Sequence, residues 1–218
     1  MSLLTICQNA AIQLSQPAVT TVFGSSARFH QELVILTTEA GKELLRRHDW
    51  GRLVKTQNYA TTPGQLPGDF ERLTLGSPVR IGMTPVRGAL SDAEMNLKRA
   101  AASTSPPRFL LRKPNIEIAP VPSAPVTLEY VSTNWIESAD ATPIQKDAFG
   151  ANTDNCLIPE DIITQAVIWR WRRLKGHEYQ DELDQYEQAV EYRVRADRAM
   201  RLPAEQPTST AKPAKVSA

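Results

Sequence analysis

The sequence predicts an α+β protein: a helical bundle formed by N- and C-terminal helices, a small antiparallel β-layer inserted between them, and an extended C-terminal tail. Three observations predict it. Apolar residues recur at helical spacing at both ends of the chain. Sixteen prolines stand against ten glycines, and the prolines cluster between Pro63 and Pro143, a stretch they bias toward strands and turns. The last sixteen residues, Pro203 to Ala218, carry no aromatic side chain and nothing large and apolar except Val216. Such a segment cannot bury enough surface to offset the entropy of ordering it, so it is expected to order only when another molecule holds it.

The elements follow in chain order. Ser2 is placed to cap a first helix over residues 2–15, in which Leu3, Cys7, Ala10 and Leu14 share a face until Pro17 ends the pattern. A second helix is expected over 26–48, opening near Ser25 or Ser26, with Phe29, Leu33, Leu36, Ala40 and Leu44 as its apolar stripe and Gly51 as its stop. Residues 53–135 form the β-rich insertion. Strands are expected at 53–60, 79–83, 108–112, 116–118 and 126–131. Turns fall at Pro63-Gly64 and Leu66–Phe70, and Lys113–Ile116 joins a hairpin. Within the insertion, Ser91-Asp-Ala-Glu94 is a capping box that opens a short helix to about Ala102.

Residues 136–158 show little apolar periodicity and are expected to be a long, mostly irregular connection. Helices over 159–175 and 178–201 complete the fold, separated by Gly176. Glu160 and Asp161 suit the first turn of the former, whose stripe is Ile163, Val167, Trp171 and Leu174. The latter buries Tyr179, Leu183, Tyr186, Val190 and Val194. Neither the helices nor the β-layer offers enough core alone, so residues 1–202 are read as one domain and 203–218 as the tail.

Composition excludes several classes. The hydrophobic fraction is 41% and the net charge +1, which suits an ordinary soluble protein without a strong general pull toward nucleic acid or membrane. No run approaches the ~18 apolar residues of a membrane span, and Met1-Ser-Leu-Leu-Thr-Ile lacks the basic start of a signal peptide. Cys7 and Cys156 read as two buried small hydrophobes, not a disulfide framework.

Nor does a catalytic constellation stand out. His30, His48 and His177 sit at unrelated positions, and no metal-ligand spacing, phosphate loop or nucleophile elbow is present. No cofactor is therefore expected. Glu160 and Asp161 point about 100° apart on a helix and already serve its first turn. Glu137 and Asp140 could serve a glycan-cleaving site if folding brought them within about 5–10 Å. The run Arg170, Arg172, Arg173, Lys175 alternates with Trp169 and Trp171, a pattern able to stack bases or clamp phosphates. Trp171 shares the face of Ile163 and Val167, however, which favours packing. Arg170, Arg173, Arg193, Arg195 and Arg198 are read as candidates for a subunit interface, where arginine is favoured for its bidentate geometry.

Several segments in order carry a resemblance. They are Met1–Cys7, Arg46-Arg-His-Asp-Trp50, Leu66-Pro-Gly-Asp-Phe-Glu-Arg-Leu73, Leu128–Ile136, Phe149-Gly-Ala-Asn-Thr-Asp154, Ala166–Trp171 with Gly176, and Asp184–Glu187. Together, over roughly residues 1–200, they resemble tailed-phage head-to-tail adaptor (head completion) proteins, which are themselves similar to the tail tubular A, or gatekeeper, proteins of short-tailed phages. The resemblance implies a structural virion protein, made in the host cytoplasm and not an enzyme. It would form a ring, usually of twelve copies, beneath the portal ring and dock a downstream tail or nozzle protein. Genomic DNA would pass through the lumen without sequence-specific contact, and no membrane is involved. In relatives the C-terminal extension orders against the portal. The corresponding candidates here are Leu202, Pro203, Pro207, Lys212, Pro213, Lys215, Val216 and Ala218. Two rival readings are a virion-associated peptidoglycan hydrolase using Glu137, Asp140 or Glu160, and a DNA-binding module using Arg170–Lys175.

Overall fold

A computed structural model of the chain describes residues 2–89, 91–100 and 105–201. Its helices are α1 (Leu3–Gln13), α2 (Arg28–Arg47), α3 (Asp92–Ala100), α4 (Glu160–Leu174) and α5 (Gln180–Arg201). The fold is α+β, with α1, α2, α4 and α5 forming the bundle. Helix α4 is its axis, in contact with α1, α2 and α5. It buries Ile162, Ile163, Ala166, Val167, Ile168, Trp169 and Trp171, too wide a set for one face, as expected of a helix covered on most sides.

Local chemistry sets the helix ends. Ser2 caps α1, its hydroxyl accepting from the Thr5 amide at 3.3 Å. The start of α2 differs from expectation: Ala27 is the N-cap, because the Ser25 hydroxyl is spent on His30 Nδ1 at 2.9 Å and on the Ala27 amide. Leu174 also departs from the reading, 58% exposed in the last turn of α4. Gly176 takes a left-handed φ of 72°, which lets the chain turn from α4 into α5.

The β-rich part comprises β1 (Val54–Tyr59), β2 (Gly64–Gln65), β3 (Phe70–Leu73), β4 (Val79–Ile81), β5 (Thr84–Pro85), β6 (Arg87–Gly88), β7 (Arg108–Arg112), β8 (Asn115–Ala119) and β9 (Val126–Ser132). It forms two sheets, not one layer. One runs β1-β9-β4-β5, with β3 also on β9; the other runs β2-β8-β7-β6. All pairings are antiparallel except β6–β7. Tyr59, Val79, Leu128 and Tyr130 of the first sheet meet Ile116 and Ile118 of the second in a common core. Helix α3 is clamped to β7 and β8 by Glu94–Arg108, Asp92–Arg112 and Arg99–Glu117 pairs at 3.0, 2.6 and 2.6 Å. The Ser91 hydroxyl caps it by accepting from the Glu94 amide at 3.2 Å.

Short strands adjoin the expected turn and lie within the expected connection. The Leu66–Phe70 turn is shorter than read, closing from Pro67 to Phe70, and Phe70 already begins β3. The connection 136–158 is mostly irregular, as expected, but it also carries three short strands, β10 (Ile136–Glu137), β11 (Gln145–Lys146) and β12 (Asn155–Cys156), which form a three-stranded sheet. Strands of two to four residues are too short to show alternation in a sequence.

Candidate interaction surfaces

The family-resembling segments turn out to be joints of the fold. In Phe149–Asp154, the Asn152 side-chain carbonyl accepts from the amides of both Val22 and Phe23 at 2.9 Å. Its amide group donates to the Thr21 hydroxyl at 2.8 Å. Asp154 accepts from the Gly150 and Ala151 amides at 2.6 and 2.8 Å and from Lys146 Nζ at 2.7 Å. Burial alone would raise its pKa; these bonds outweigh that and hold it low. In Leu66–Leu73, Asp69 accepts from Lys55 Nζ, Tyr130 Oη and Ser132 Oγ at 2.7, 2.9 and 2.6 Å. In Arg46–Trp50, Asp49 pairs with Arg72 and accepts from the Leu75 amide at 2.7 Å, linking the end of α2 to β3.

The arginines read as interface candidates divide sharply. Arg170 is inside the bundle: its side chain is 10% exposed and pairs with Glu43. Its guanidinium lies 4.4 Å from the Trp169 ring centre and donates to the Ala166 carbonyl at 3.0 Å. Tyr186 donates to Glu43 at 3.2 Å, and Arg47 reaches Glu187 at 2.9 Å, so α2, α4 and α5 share one ionic network. Burial, then the Glu43 charge, pushes the Tyr186 hydroxyl up. Arg193 ties α5 to the first turn of α4 through Asp161 at 2.8 Å. Arg173 and Arg198 are exposed, and among the described residues Arg195 pairs with Glu191, one turn earlier on the same face. The outer surface of α5 therefore offers Asp184, Gln188, Tyr192, Arg195 and Arg198 to solvent, with Tyr192 69% exposed.

The rival sites are not assembled in the same way. Glu137 and Glu160 line one open hollow with Arg52, which pairs with Glu137 at 3.7 Å; Asp140 is exposed elsewhere, on the β10–β11 loop. Trp169 and Trp171 are buried and so do not present faces for base stacking. His30 bonds Ser25, His48 lies 3.0 Å from Asp197, and His177 stacks on Trp171. Among the described residues no cluster of three or more His, Cys, Asp or Glu is arranged to hold a metal. No described helix is long and apolar enough to cross a membrane. Both cysteines are free and buried, and burial pushes the Cys7 thiol up to about 12.

One surface escaped the sequence reading. Val22, Phe23, Val34 and Ile35 line an open apolar groove at the N-terminal end of α2, where Phe23 and Ile35 remain 41% and 56% exposed. The available signal was the run Leu33-Val-Ile-Leu36, in which Val34 and Ile35 fall off the α2 stripe. The tail candidates, Leu202 through Ala218, lie outside the described residues. In comparisons with known proteins, the family model of the SU10 adaptor protein matches residues 1–216. No curated protein matches the chain.

Proposed function

Because the chain belongs to the SU10 adaptor protein family, whose members are structural phage adaptors at the head-to-tail junction, we propose that it is a non-catalytic subunit of a ring joining the portal to the tail. The ring, of twelve copies, continues the portal channel, and the genome passes through it without sequence-specific contact. Residues 203–218 anchor the subunit to the portal, and Arg195 and Arg198 on the outer surface of α5, together with Arg173 of α4, face neighbouring copies.

The observation that carries this reading is the family match, which runs through the bundle, the sheets and all but the last two residues of the tail. The physics agrees with it. A conduit must not grip phosphate, and most cationic side chains of α2, α4 and α5 described above are paired with carboxylates of the same chain, which weakens salt-dependent DNA binding. A closed ring requires a heterologous contact between two different surfaces of the subunit, and α5 and the Phe23–Ile35 groove are two such surfaces.

Imaging the purified protein with its portal tests the ring: rotational symmetry with the adaptor below the portal is expected, and a monomer at every ratio would sink the proposal. A chain lacking Pro203–Ala218 is expected to stay folded but not to co-sediment with portal. Full-stoichiometry binding by that chain would remove the anchor role.

A further inference from the structure

Strand β1 leaves one backbone edge open. Strand β9 is flanked on one side by β1 over all six residues, from Val54↔Val131 to Tyr59↔Val126, and on the other by β4 and β3 in succession. Among the described residues nothing pairs with the far edge of β1. An edge of this kind is normally guarded by a proline, a bulge or a charge. Here Thr56, Gln57 and Asn58 are three consecutive exposed residues, the pairing has no register shift, and the one charge, on Lys55, is turned to Asp69.

The chain supplies a strand nearby. Helix α5 passes beside the residues that lead into β1: Asp197 accepts from the Gly51 amide at 3.2 Å and meets His48 Nε2 at 3.0 Å. Arg201 follows one turn later, about 6 Å along the axis. Seventeen residues remain beyond it, and Thr208-Ser-Thr-Ala-Lys212 is the run between Pro207 and Pro213, every residue of it able to donate a backbone N–H. Six residues, 202–207, separate this run from α5 and reach about 20 Å, the length of β1 itself. The run has no bulky side chain to fill a pocket, so backbone pairing is what it can offer, and threonine suits a strand.

We propose, against the expectation that only another molecule orders the tail, that in the free subunit Thr208–Lys212 adds to the outer edge of β1 of the same chain. Pairing in cis is favoured over pairing between copies by the high effective concentration that so short a link gives. The inference goes beyond the ring proposal but uses the same tail, so capture by the portal and pairing with β1 exclude one another. Its test needs no portal, and its failure leaves the adaptor reading intact.

Amide hydrogen exchange resolved by residue decides it. Alternate residues of β1 point their N–H groups away from β9. Those amides are expected to exchange about tenfold more slowly in the full chain than in a chain ending at Arg201. Thr210→Pro, which keeps the tail length but breaks the pairing, is expected to match the truncation, with β9 amides unchanged in both. Equal exchange in all three chains overturns the proposal. Protection that fades on dilution also overturns it, by assigning the strand to another copy.

Discussion

Gly41 of α2 sits against the six-membered ring of the Trp135 indole: a methyl group on its Cα would stand 2.2 Å from two ring carbons. Trp135 is 1% exposed and belongs to the core shared by α2, α4 and α5. Two effects oppose one another in Gly41→Ala. Helix propensity favours alanine by about 1 kcal/mol. The clash forces a rigid, enclosed ring to move, and overpacking of a core costs typically 1–3 kcal/mol, sometimes more. Packing wins, so a net loss of about 1–2 kcal/mol is expected in urea unfolding. Trp135→Phe in the same chain should recover part of it, giving a non-additive cycle. A raised midpoint for Gly41→Ala alone would show that the indole has room to move.

Asp69 makes a second prediction, in pH. Burial alone would raise its pKa; the hydrogen bonds from Lys55, Ser132 and Tyr130 outweigh burial and hold it below the usual carboxylate range. A carboxylate with a lowered folded pKa stabilises the protein above its unfolded value of about 4, and that contribution is lost as pH falls through the folded value. Asp69→Asn is expected to cost about 2 kcal/mol at pH 7, since Lys55 loses its counter-charge. The difference from the parent chain should shrink as pH falls below about 4. Asp154, Glu32 and Glu117 are also lowered, so only the difference between the two chains isolates Asp69. A constant difference from pH 7 to acid would show that the bonds act by geometry and not by charge.

What the sequence revealed follows from what periodicity can encode. Leu33, Leu36, Ala40 and Leu44 of the α2 stripe and Ile163, Val167 and Trp171 of the α4 stripe are buried as read, whereas Phe29 is half-buried and Leu174 exposed. Strands β7 and β9 are long enough to alternate and fall where expected. Strands β10, β11 and β12 have two residues each, below any detectable period. The arginines show a different limit. Arg170 and Arg173 are one turn apart on α4, yet the first is enclosed by Glu43 and Trp169 while the second faces solvent. Which of them finds a carboxylate depends on where α2 crosses α4, and spacing along one helix carries no record of that. The segments behind the family resemblance contain Asp49, Asp69, Asn152 and Asp154, all of them internal clamps; they record how the fold is held, not what it touches.

Asn152 tests that view of the clamps. Its one carbonyl oxygen satisfies two successive backbone amides, Val22 and Phe23, and so positions the lip of the apolar groove that Phe23 shares with Ile35. Asn152→Ala leaves both donors without that acceptor, at an expected cost of about 1–3 kcal/mol. Because the segment is a surface loop, the loss should show first as faster amide exchange at residues 21–24, before any change in the α4 core. Uniform acceleration across the whole chain would place Asn152 in the global unfolding unit instead.

The arginines proposed for a subunit interface separate by stability and assembly. Arg170→Ala removes a nearly enclosed guanidinium from Glu43 and the Trp169 face, and about 2 kcal/mol of monomer stability is expected to go with it, since Glu43 keeps Tyr186 and Arg47 as partners. Arg195→Glu with Arg198→Glu removes only an exposed pair with Glu191, so stability should stay within about 0.5 kcal/mol. The same double change reverses two charges on the outer surface of α5, and at a contact between copies that places like charges together at a cost of several kcal/mol. The double variant should therefore melt like the parent chain but fail to form rings on portal. Arg170→Ala should melt early, yet form rings below its melting temperature. Normal rings from the Arg195/Arg198 variant would move the subunit contact off α5 and toward the Phe23–Ile35 groove.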